Sequence, residues 1–305
     1  MIVVAGESLV DLVVDPTMGV VAIPGGGPFN TARTIARLGG SVAFLGCISS
    51  DRFGMQARAA LQGDGVDMRF VVSTDAPTTL AVAELDADGA ATYRFYVQGT
   101  AAPGLAASTI QAVLAVRPAA IHVGTLGLVL EPLATTIEGL VASLDATTIM
   151  MLDVNARPTA TPDPAGYRRR LDRLLARADV VKASEPDLVY LYPSLSPEAA
   201  LVTVAAAGPG VVLCTAGPGP LVVAVGQARR TLPVPSVHVV DTVGAGDAFG
   251  GGFLHAWVDA GHGRDALRDL EAVASAADVG IRVAALTVGR AGAEPPFASE
   301  LRRSS

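Results

Sequence analysis

The sequence predicts an α/β protein whose central, mostly parallel sheet is covered by helices on both faces. The main observation is a regular alternation of short apolar segments and longer amphipathic ones in the second half of the chain. The expected strands there are 119–123, 148–154, 180–184 and 211–215, with helices at 131–144, 164–177 and 196–207. This alternation is typical of βαβ units, which place parallel strands in one sheet. A chain of 305 residues is long enough to bury a large core.

The first hundred residues predict further strands and a hairpin. The expected strands are 2–14, 19–23, 42–48, 68–73, 79–86 and 90–97, with helices at 31–39 and 53–62. The turn Asp86-Ala87-Asp88-Gly89 is expected to join the last two strands as a hairpin. Gly25-Gly26-Gly27-Pro28, before the first helix, indicates a hinge or a site where a ligand meets bare backbone, and a plain loop is the alternative.

Composition and charge favour a soluble enzyme over other classes. The formal net charge is −7 and the isoelectric point is near 5.1, which argues against a nucleic-acid partner. No unbroken apolar run reaches the roughly 18 residues of a membrane span. Glu7 and Asp11 in the apolar N-terminus indicate a strand and not a signal peptide. Cys47 and Cys214 lie far apart in apolar runs, so we expect free thiols and a cytoplasmic protein.

The stretch DTVGAGDAFGGGF, residues 241–253, is the strongest functional signal. SVHVV at 236–240 predicts a strand, and the sequence after the glycines predicts a helix. Gly244-Ala245-Gly246 is therefore expected at a strand-to-helix turn, where free N–H groups and the helix dipole bind anions. Asp247 adds a carboxylate whose best-fitting task is to accept a proton from a hydroxyl that attacks a bound phosphate. We expect the helix N-terminus to lower the pKa of Asp247.

Three other interpretations of this stretch remain open: a variant dinucleotide-binding turn, a plain tight turn, and Asp247 as an N-cap. A dinucleotide turn requires a second strand with an acidic residue about 20 residues further on, whereas Ala-rich helical sequence follows here. A plain turn leaves Gly250-Gly251-Gly252 unexplained, since each glycine in a helix costs about 1 kcal/mol relative to alanine. Three consecutive glycines in a helix are explained only if the backbone closely approaches a ligand or another element. The N-cap role is compatible with proton transfer.

Polar residues follow the carboxyl ends of several predicted strands. They are 153–157, 182–187, 215–217, and Asp241 with Asp247. Ligands of parallel sheets bind beyond this edge, although a cap or a turn is the alternative for each segment alone. Lys182 is the only lysine in the chain, and it lacks the Gly-Lys-Ser/Thr context of a Walker A loop. Nucleotide chemistry at this edge is therefore not of the P-loop type.

Together these motifs resemble the ribokinase-like family of carbohydrate kinases, also called the PfkB family. The likeness extends from GESLVDL through GGGPFNTARTIARLGG and DTVGAGDAFGGGF to the terminal LTVGRAGAEPP. It implies a single carbohydrate kinase domain over residues 1–305, with a three-layer α/β/α body and a mostly parallel central sheet. It also implies a small β-sheet lid, formed discontinuously by 12–24 and 67–97, that closes over the sugar.

The resemblance also implies roles for individual residues. Asp247 matches the catalytic base, and Gly244, Ala245 and Gly246 match the anion hole for the transferred phosphate. The implied substrate-binding residues are Asp11, Gly26, Gly27, Asn30 and Arg157, with Tyr93 and Phe95 on a strand face that covers the sugar. The implied loop for a monovalent cation, K⁺, contains Asp241, the Val243 carbonyl, Thr287 and Gly292.

Two segments depart from the family pattern. Ser184-Glu185-Pro186-Asp187 stands where the family carries Asn-x-x-Glu, which holds Mg²⁺ largely through water, so Glu185 and Asp187 are the implied magnesium residues. Lys182, Ser184, Thr215 and Gly217 are the implied nucleotide-binding residues. In the family pattern Thr-x-Gly-x-x-Gly, Pro220 stands at the position of the second glycine. We therefore expect the adenosine pocket to differ locally from that of the family.

The resemblance implies an ATP-dependent sugar kinase that transfers the γ-phosphate to a primary hydroxyl. DVNxRP-type and VKxSExD-type segments are shared with fructokinases and 2-keto-3-deoxygluconate kinases. Fructose, giving fructose 6-phosphate, is the favoured substrate. The alternatives are 2-keto-3-deoxygluconate, another small sugar or a nucleoside and, from other classes, a non-catalytic sugar sensor or an NAD-dependent dehydrogenase. The expected cofactors are ATP, Mg²⁺ and K⁺, and a homodimer through the lid is the expected assembly.

Overall fold

The computed structural model describes residues 1–15, 19–85 and 91–302. Its strands are β1 (Ile2–Ala5), β2 (Leu9–Asp15), β3 (Gly19–Gly25), β4 (Val42–Ser49), β5 (Val71–Thr74), β6 (Leu80–Leu85), β7 (Ala91–Tyr96), β8 (Ala120–Gly124), β9 (Ile149–Asp153), β10 (Val180–Ser184), β11 (Val211–Thr215), β12 (Leu221–Val225) and β13 (Ala228–Leu232). Its helices are α1 (Gly27–Arg37), α2 (Arg52–Gly63), α3 (Ile110–Ala115), α4 (Leu133–Ala142), α5 (Pro164–Arg177), α6 (Glu185–Leu191), α7 (Pro197–Ala206), α8 (Ala245–Asp259), α9 (Leu270–Val288) and α10 (Ala298–Leu301).

Nine strands form the large sheet, in the order β13-β12-β11-β10-β9-β8-β1-β4-β5. Every pairing from β11 through to β5 is parallel, and β12 runs antiparallel to both of its neighbours. Alternate residues of β1 face opposite sides: Val3 packs in the core under α3 to α7, and Val4 packs in the core under α1, α2, α8 and α9. The predicted α/β fold with helices on both faces is confirmed.

Helix α5 illustrates how local sequence builds this layer. The carboxylate of Asp163 accepts a hydrogen bond from the Gly166 amide at 2.9 Å and so caps the helix start. Its buried residues recur at helical spacing, and they are Tyr167, Leu171, Leu174 and Leu175. The predicted helix 164–177 has these same bounds.

Four strands form a second, smaller sheet in the order β3-β2-β6-β7. Leu9 and Ala81 of this sheet pack against Leu126 and Ala160, which follow the carboxyl ends of β8 and β9. The small sheet therefore lies on the edge of the large sheet where ligands of parallel sheets bind.

The bounds of two N-terminal segments differ from the prediction. Residues 2–14, predicted as one strand, form β1 in the large sheet and β2 in the small one, because Gly6 to Ser8 carry the chain between them. Val71–Thr74, inside the predicted lid segment 67–97, pairs with β4 in the large sheet. The small sheet takes only β6 and β7 from that segment, and their predicted turn, 86–89, lies outside the described residues.

The predicted strand at 236–240 is wrong. These residues form no strand, and Val237, Val239 and Val240 are between 41 and 53% exposed. Alternating valines favour a strand only where a partner edge is available. Here the edge of the sheet is already formed by the β12–β13 hairpin, which the prediction missed, and Pro233 and Pro235 after it cannot donate ladder hydrogen bonds.

The three consecutive glycines of α8 allow close helix packing. A Cβ built on Gly251 would lie 2.8 Å from the Thr34 Cβ of α1, and a Cβ on Gly252 would lie 3.0 Å from the Gly280 Cα of α9. The glycines therefore let α8 approach both neighbouring helices, which is one of the two reasons expected from the sequence.

Among the described residues, none of the helices combines the length and the hydrophobicity that a bilayer crossing requires.

We expect Gly251→Ala to destabilise the protein by about 1–3 kcal/mol, because the added methyl group overpacks the contact with α1. Gly139→Ala in α4 is the matched control, since its Cβ would meet only Ile110 Cδ1 at 3.4 Å. That control should gain up to about 1 kcal/mol from helix propensity. Denaturant unfolding measures both free energies, and equal stabilisation by the two substitutions would contradict the packing argument.

Candidate active site

The N-terminus of α8 is built around Gly244. Gly244 is the N-cap residue with φ of 77°, and a Cβ there would collide with the Ala293 side chain. Only glycine meets both requirements without strain. The Ala245 amide donates to the Thr242 carbonyl at 3.3 Å. The Gly246 and Asp247 amides that follow have no intrahelical partner, and they lie at the positive end of the helix dipole. A Cβ on Gly246 would lie 2.7 Å from Lys182 Nζ, so the ammonium stands directly beside this turn.

Asp247 lies in the first turn of α8, and 8% of it is exposed. Its Oδ2 accepts a hydrogen bond from Asn30 Nδ2 at 2.9 Å. Its Oδ1 lies 3.1 Å from where a Cβ on Gly27 would be, so a side chain at position 27 would press on the carboxylate. Asn30 Oδ1 is buried and accepts no hydrogen bond from the described residues. The glycine-rich loop before α1 and the turn before α8, far apart in sequence, thus meet at one carboxylate.

The pKa of Asp247 shifts in the direction opposite to the one expected from the sequence. Burial raises it above the usual value, and the Asn30 hydrogen bond, with the charges of Lys182 and Arg157, lowers it only in part. The expectation of a lowered pKa considered the helix dipole and omitted desolvation, which is the larger effect for a fully buried carboxylate. A raised pKa makes Asp247 a stronger base than an exposed aspartate.

Asp11 on β2 is a second carboxylate of this region. Gly25 of the neighbouring strand leaves room for it, since a Cβ there would collide with Asp11 Oδ2. Burial and the charge of Asp247 raise the pKa of Asp11 to about 6, and the charge of Arg157 opposes the rise. Arg157 is exposed, and its guanidinium donates to the carbonyls of Asn155 and Ala156. Arg157 therefore acts on both acids from the same side of the site.

Lys182 and Asp153 form a buried ion pair across β9 and β10. Lys182 Nζ lies 3.1 Å from both carboxylate oxygens of Asp153, and both side chains are at most 4% exposed. Burial by itself lowers the pKa of the ammonium, but Asp153, Asp187 and Asp247 together raise it above its usual value. The only lysine in the sequence is therefore charged and is held at the edge of the sheet.

Ser184 and Asp187 form a capping box at the start of α6. Asp187 Oδ2 accepts from the Ser184 amide and hydroxyl, each at 2.7 Å, and its Oδ1 accepts from the Ala156 amide at 2.8 Å. This partly buried arrangement ties α6 to the loop after β9. Glu185, next in the chain, is exposed.

Thr215 lies beside Ser184 at the ends of β11 and β10. Gly217 follows in the turn before β12, with φ of 59°, where glycine is favoured. The predicted nucleotide-binding residues Lys182, Ser184, Thr215 and Gly217 thus lie along two neighbouring strand ends.

Asp241 organises the loop before α8. Its two carboxylate oxygens accept hydrogen bonds from the amides of Val243, at 3.0 Å, and Gly292, at 2.9 Å. The Thr287 hydroxyl donates to Val283 O within α9, and its carbonyl accepts from the Arg290 amide. Asp241, Val243 and Gly292 are therefore brought together, while the Thr287 side chain is used inside its own helix. Within the described ranges, no cluster of three or more His, Cys, Asp or Glu side chains is arranged to hold a metal ion.

Tyr93 and Phe95 lie on one face of β7, as the alternation predicted. Their rings stack with centroids 6.5 Å apart. Phe95 packs on the cluster between the small sheet and the body, whereas Tyr93 is 46% exposed. Phe95 is thus part of the contact beneath the small sheet, and Tyr93 lies further out.

Glu7 and Thr125 belong to this region, and the sequence interpretation did not include them. Glu7 Oε1 accepts from the Thr125 hydroxyl and from the Gly27 amide, at 3.3 Å for the amide, and Oε2 accepts from the Gly127 amide at 2.9 Å. Burial raises the pKa of Glu7 to about 7, and Asp247 adds to the rise. The signal available was a carboxylate just beyond the end of an apolar strand, the same rule that selected the other polar segments of this edge.

A three-layer body with a separate four-stranded sheet at the carboxyl edge of its strands defines the ribokinase-like fold. The family model described as pfkB family carbohydrate kinase matches residues 1–299. The chain belongs to this family of carbohydrate kinases.

Individual relatives agree with this assignment. Fructokinase-1 of Oryza sativa subsp. japonica is 31% identical over 313 aligned positions, which cover 99% of this chain and 95% of that protein. The crystal structure of fructokinase with bound ATP from Xylella fastidiosa superposes with a TM-score of 0.91 at 29% identity and covers 99% of this chain and 97% of its own. The fructokinase from Vibrio cholerae O395 in its fructose-, ADP- and calcium-bound form gives a TM-score of 0.87 at 26% identity, with coverage of 99% and 97%.

The raised pKa values predict that the folded protein loses stability as the pH rises from about 5 to about 8. Glu7, with a pKa of about 7, and Asp11, with a pKa of about 6, hold their protons more tightly when folded than when unfolded. Ionising them therefore costs folding free energy, on the order of 1.4 kcal/mol per pKa unit for a buried group. Burial lowers the pKa of His122 to about 3, which opposes this loss up to about pH 6.5, and the comparison with Glu7→Gln separates the two effects. Thermal melting across this range measures the effect. Glu7→Gln should show a smaller change with pH, and a wild-type Tm that is higher at pH 8 than at pH 5 would contradict the prediction.

Proposed function

We propose that this protein transfers the γ-phosphate of ATP to the primary hydroxyl of fructose, giving fructose 6-phosphate. The observation that carries the proposal is the placement of Asp247. Its Oδ2 is held by Asn30 while its Oδ1 faces the glycine-rich loop, and it stands in the first turn of a helix whose Gly246 amide has no intrahelical partner and can bind an anion.

Asp11, Asn30 and the Gly26-Gly27 backbone are the proposed sugar contacts. Asn30 Oδ1 is a buried acceptor without a partner among the described residues, and such an atom is costly unless a ligand or water donates to it. A sugar hydroxyl is a suitable donor. Gly26 has φ of 109°, and a Cβ there would lie 2.8 Å from Glu7 O, so glycine is required here for the loop to pass close to the Glu7 backbone.

In the proposed reaction, the proton of the attacking hydroxyl moves to Asp247, the sugar oxygen bonds to the γ-phosphorus, and the bond to the β-phosphate oxygen breaks to release ADP. The raised pKa of Asp247 suits a proton acceptor. The charge of the transferred group is then stabilised by the Gly244 to Gly246 turn and by the neighbouring Lys182 ammonium.

ATP is proposed to lie along the ends of β10 and β11, beside Lys182, Ser184, Thr215 and Gly217. The Mg²⁺ of the nucleotide complex is proposed to contact Glu185 and Asp187 through water. Both carboxylate oxygens of Asp187 already accept hydrogen bonds from Ser184 and Ala156. The exposed Glu185 carboxylate is therefore the more available of the two for water bound to Mg²⁺. Mg²⁺ adds positive charge to the phosphates and orients them.

The Asp241 loop is proposed to bind K⁺ through the Asp241 carboxylate and carbonyls of Val243 and the 287–292 segment. It is tied to the Gly292 amide and leads directly into α8, so an ion there would hold the anion-binding turn in place. The Thr287 hydroxyl, used within α9, leaves only its carbonyl for this role.

The small sheet is proposed to close over the sugar and exclude water, which suppresses hydrolysis of ATP. Large apolar side chains on this sheet are exposed, and they support the prediction that two copies pair through it. They are Val20, Val21, Tyr93 and Tyr96, each at least 46% exposed.

A cytoplasmic location also remains a prediction. It is supported by Cys47 and Cys214, which are free, buried thiols.

Arg157 supports a second candidate, phosphorylation of 2-keto-3-deoxygluconate. Its charge acts on both Asp11 and Asp247, which places it on the sugar side, where a guanidinium would attract a carboxylate substrate.

A coupled assay of ADP release distinguishes the substrates. We expect fructose to give the highest kcat/KM among fructose, ribose, tagatose, 2-keto-3-deoxygluconate and adenosine, with activity dependent on Mg²⁺ and raised by K⁺ over Na⁺. Arg157→Leu should change turnover of fructose much less than turnover of the acidic sugar. Preference for 2-keto-3-deoxygluconate would favour the second candidate, and reaction with adenosine alone would refute both.

Asp247→Asn keeps an acceptor for Asn30 but cannot take a proton. We expect kcat to fall on the order of 10²- to 10⁴-fold, while the Kd for ATP, measured by calorimetry, stays near the wild-type value. Asp145→Asn, an exposed acid whose hydrogen bonds are local to residues 147 and 148, is the control and should keep full activity. Wild-type turnover by Asp247→Asn would remove this residue from the reaction.

A further inference from the structure

Glu7 connects three parts of the chain. It lies between β1 of the large sheet and β2 of the small sheet, and it is 1% exposed. Its carboxylate accepts hydrogen bonds from the first residue of α1, Gly27, and from Thr125 and Gly127 in the turn after β8. The point where the chain passes from the body into the small sheet is therefore fixed to two other segments by one side chain.

Helix α1 needs this carboxylate at its N-terminus. Its N-cap is Gly26, which offers no side-chain hydrogen bond, and its first turn contains no acidic residue. Glu7, twenty positions earlier, accepts from the Gly27 amide and places a negative charge at the positive end of the helix. The start of α1 is thus capped from the connection between β1 and β2.

The start of α1 in turn sets the position of the proposed base. Gly27 lies against Asp247 Oδ1, and Asn30, three residues on, donates to Asp247 Oδ2. Any shift of Gly27 is therefore transmitted to both oxygens of Asp247.

We propose that Glu7 is a positioning residue, which holds the start of α1, from Gly26 to Asn30, against Asp247 so that the sugar hydroxyl and the base meet in the reactive geometry. The inference rests on the proposed sugar kinase function. Among the described residues, Glu7 makes no hydrogen bond to the base or to the proposed nucleotide residues. It acts on Asp247 through the position of Gly27 and Asn30 and, in addition, by charge repulsion between the two carboxylates.

Glu7→Gln tests the proposal because a carboxamide cannot satisfy these donors. Gly27 N meets Oε1 and Gly127 N meets Oε2, so whichever way the amide is turned, its NH₂ group faces one backbone N–H. We expect kcat to fall about 10- to 100-fold and the KM for the sugar to rise, with the KM for ATP unchanged. A loss of folded protein alone would lower kcat and leave both KM values as they are.

Two further variants keep the test valid if Glu7→Gln folds poorly. Thr125→Val removes one donor to Glu7 and should reproduce the change in sugar KM to a smaller degree, whereas Thr125→Ser keeps the hydroxyl and should give wild-type values.

Asp179→Asn is the control. Asp179 is a buried carboxylate just before β10, at the end of the sheet opposite the proposed site, and it accepts a hydrogen bond from the Met150 amide at 2.8 Å. It should lower Tm without changing either KM.

The outcomes separate this inference from the proposed function. The acceptor is whichever compound of the assay panel the wild type phosphorylates best, so failure with fructose refutes the fructokinase proposal alone. Wild-type kcat and sugar KM in Glu7→Gln overturn the positioning role. A crystal structure of Glu7→Gln gives the answer without turnover, since a retained 2.9 Å contact between Asn30 Nδ2 and Asp247 Oδ2 overturns it and a lengthened contact supports it.

Discussion

The hydrogen bond between Asn30 and Asp247 is the contact on which the arrangement of the site depends. It joins residues 217 positions apart, from the first turns of α1 and α8. Both helices lie on the same face of the large sheet, and the small residues of α8 let them come close. The packing of Gly251 against Thr34 and the geometry of the Asp247 carboxylate are therefore parts of one constraint: if the helices separate, the acid loses its partner.

Burying acidic side chains at this edge of the sheet costs free energy. Two positively charged side chains, Lys182 and Arg157, offset part of this cost. Lys182 is buried between Asp153 and Asp247, and Arg157 acts on Asp11 and Asp247 from the exposed side. Burial nevertheless keeps the pKa values of Glu7, Asp11 and Asp247 raised, and among the described residues none of the three forms an ion pair. In the proposed reaction this is useful, because a fully compensated carboxylate would be a weaker proton acceptor.

The sequence was sufficient for features that depend on local chemistry. The parallel sheet, the bounds of α5 and the helix start at Gly244 followed from periodicity and glycine. Features set by distant partners were not accessible. The valines at 236–240 met every local rule for a strand but found no free edge, the capping box at Ser184 turned Asp187 inward, and the three donors to Glu7 come from residues 20 to 120 positions away. The predicted direction of the Asp247 pKa shift was wrong for the same reason, because desolvation depends on which distant residues cover the carboxylate.

In the proposed mechanism, Glu7 couples closure of the small sheet to the position of the buried Asp247. The chain enters the small sheet immediately after Glu7, and the same carboxylate caps the helix that presents Asn30 to Asp247. In the proposed mechanism, the sheet that excludes water is thus anchored at the residue that aligns the base. Exclusion of water strengthens each charge interaction in the site and raises the pKa of the base further. Alignment and basicity would then develop together as the sugar is enclosed, which restricts phosphate transfer to the closed complex.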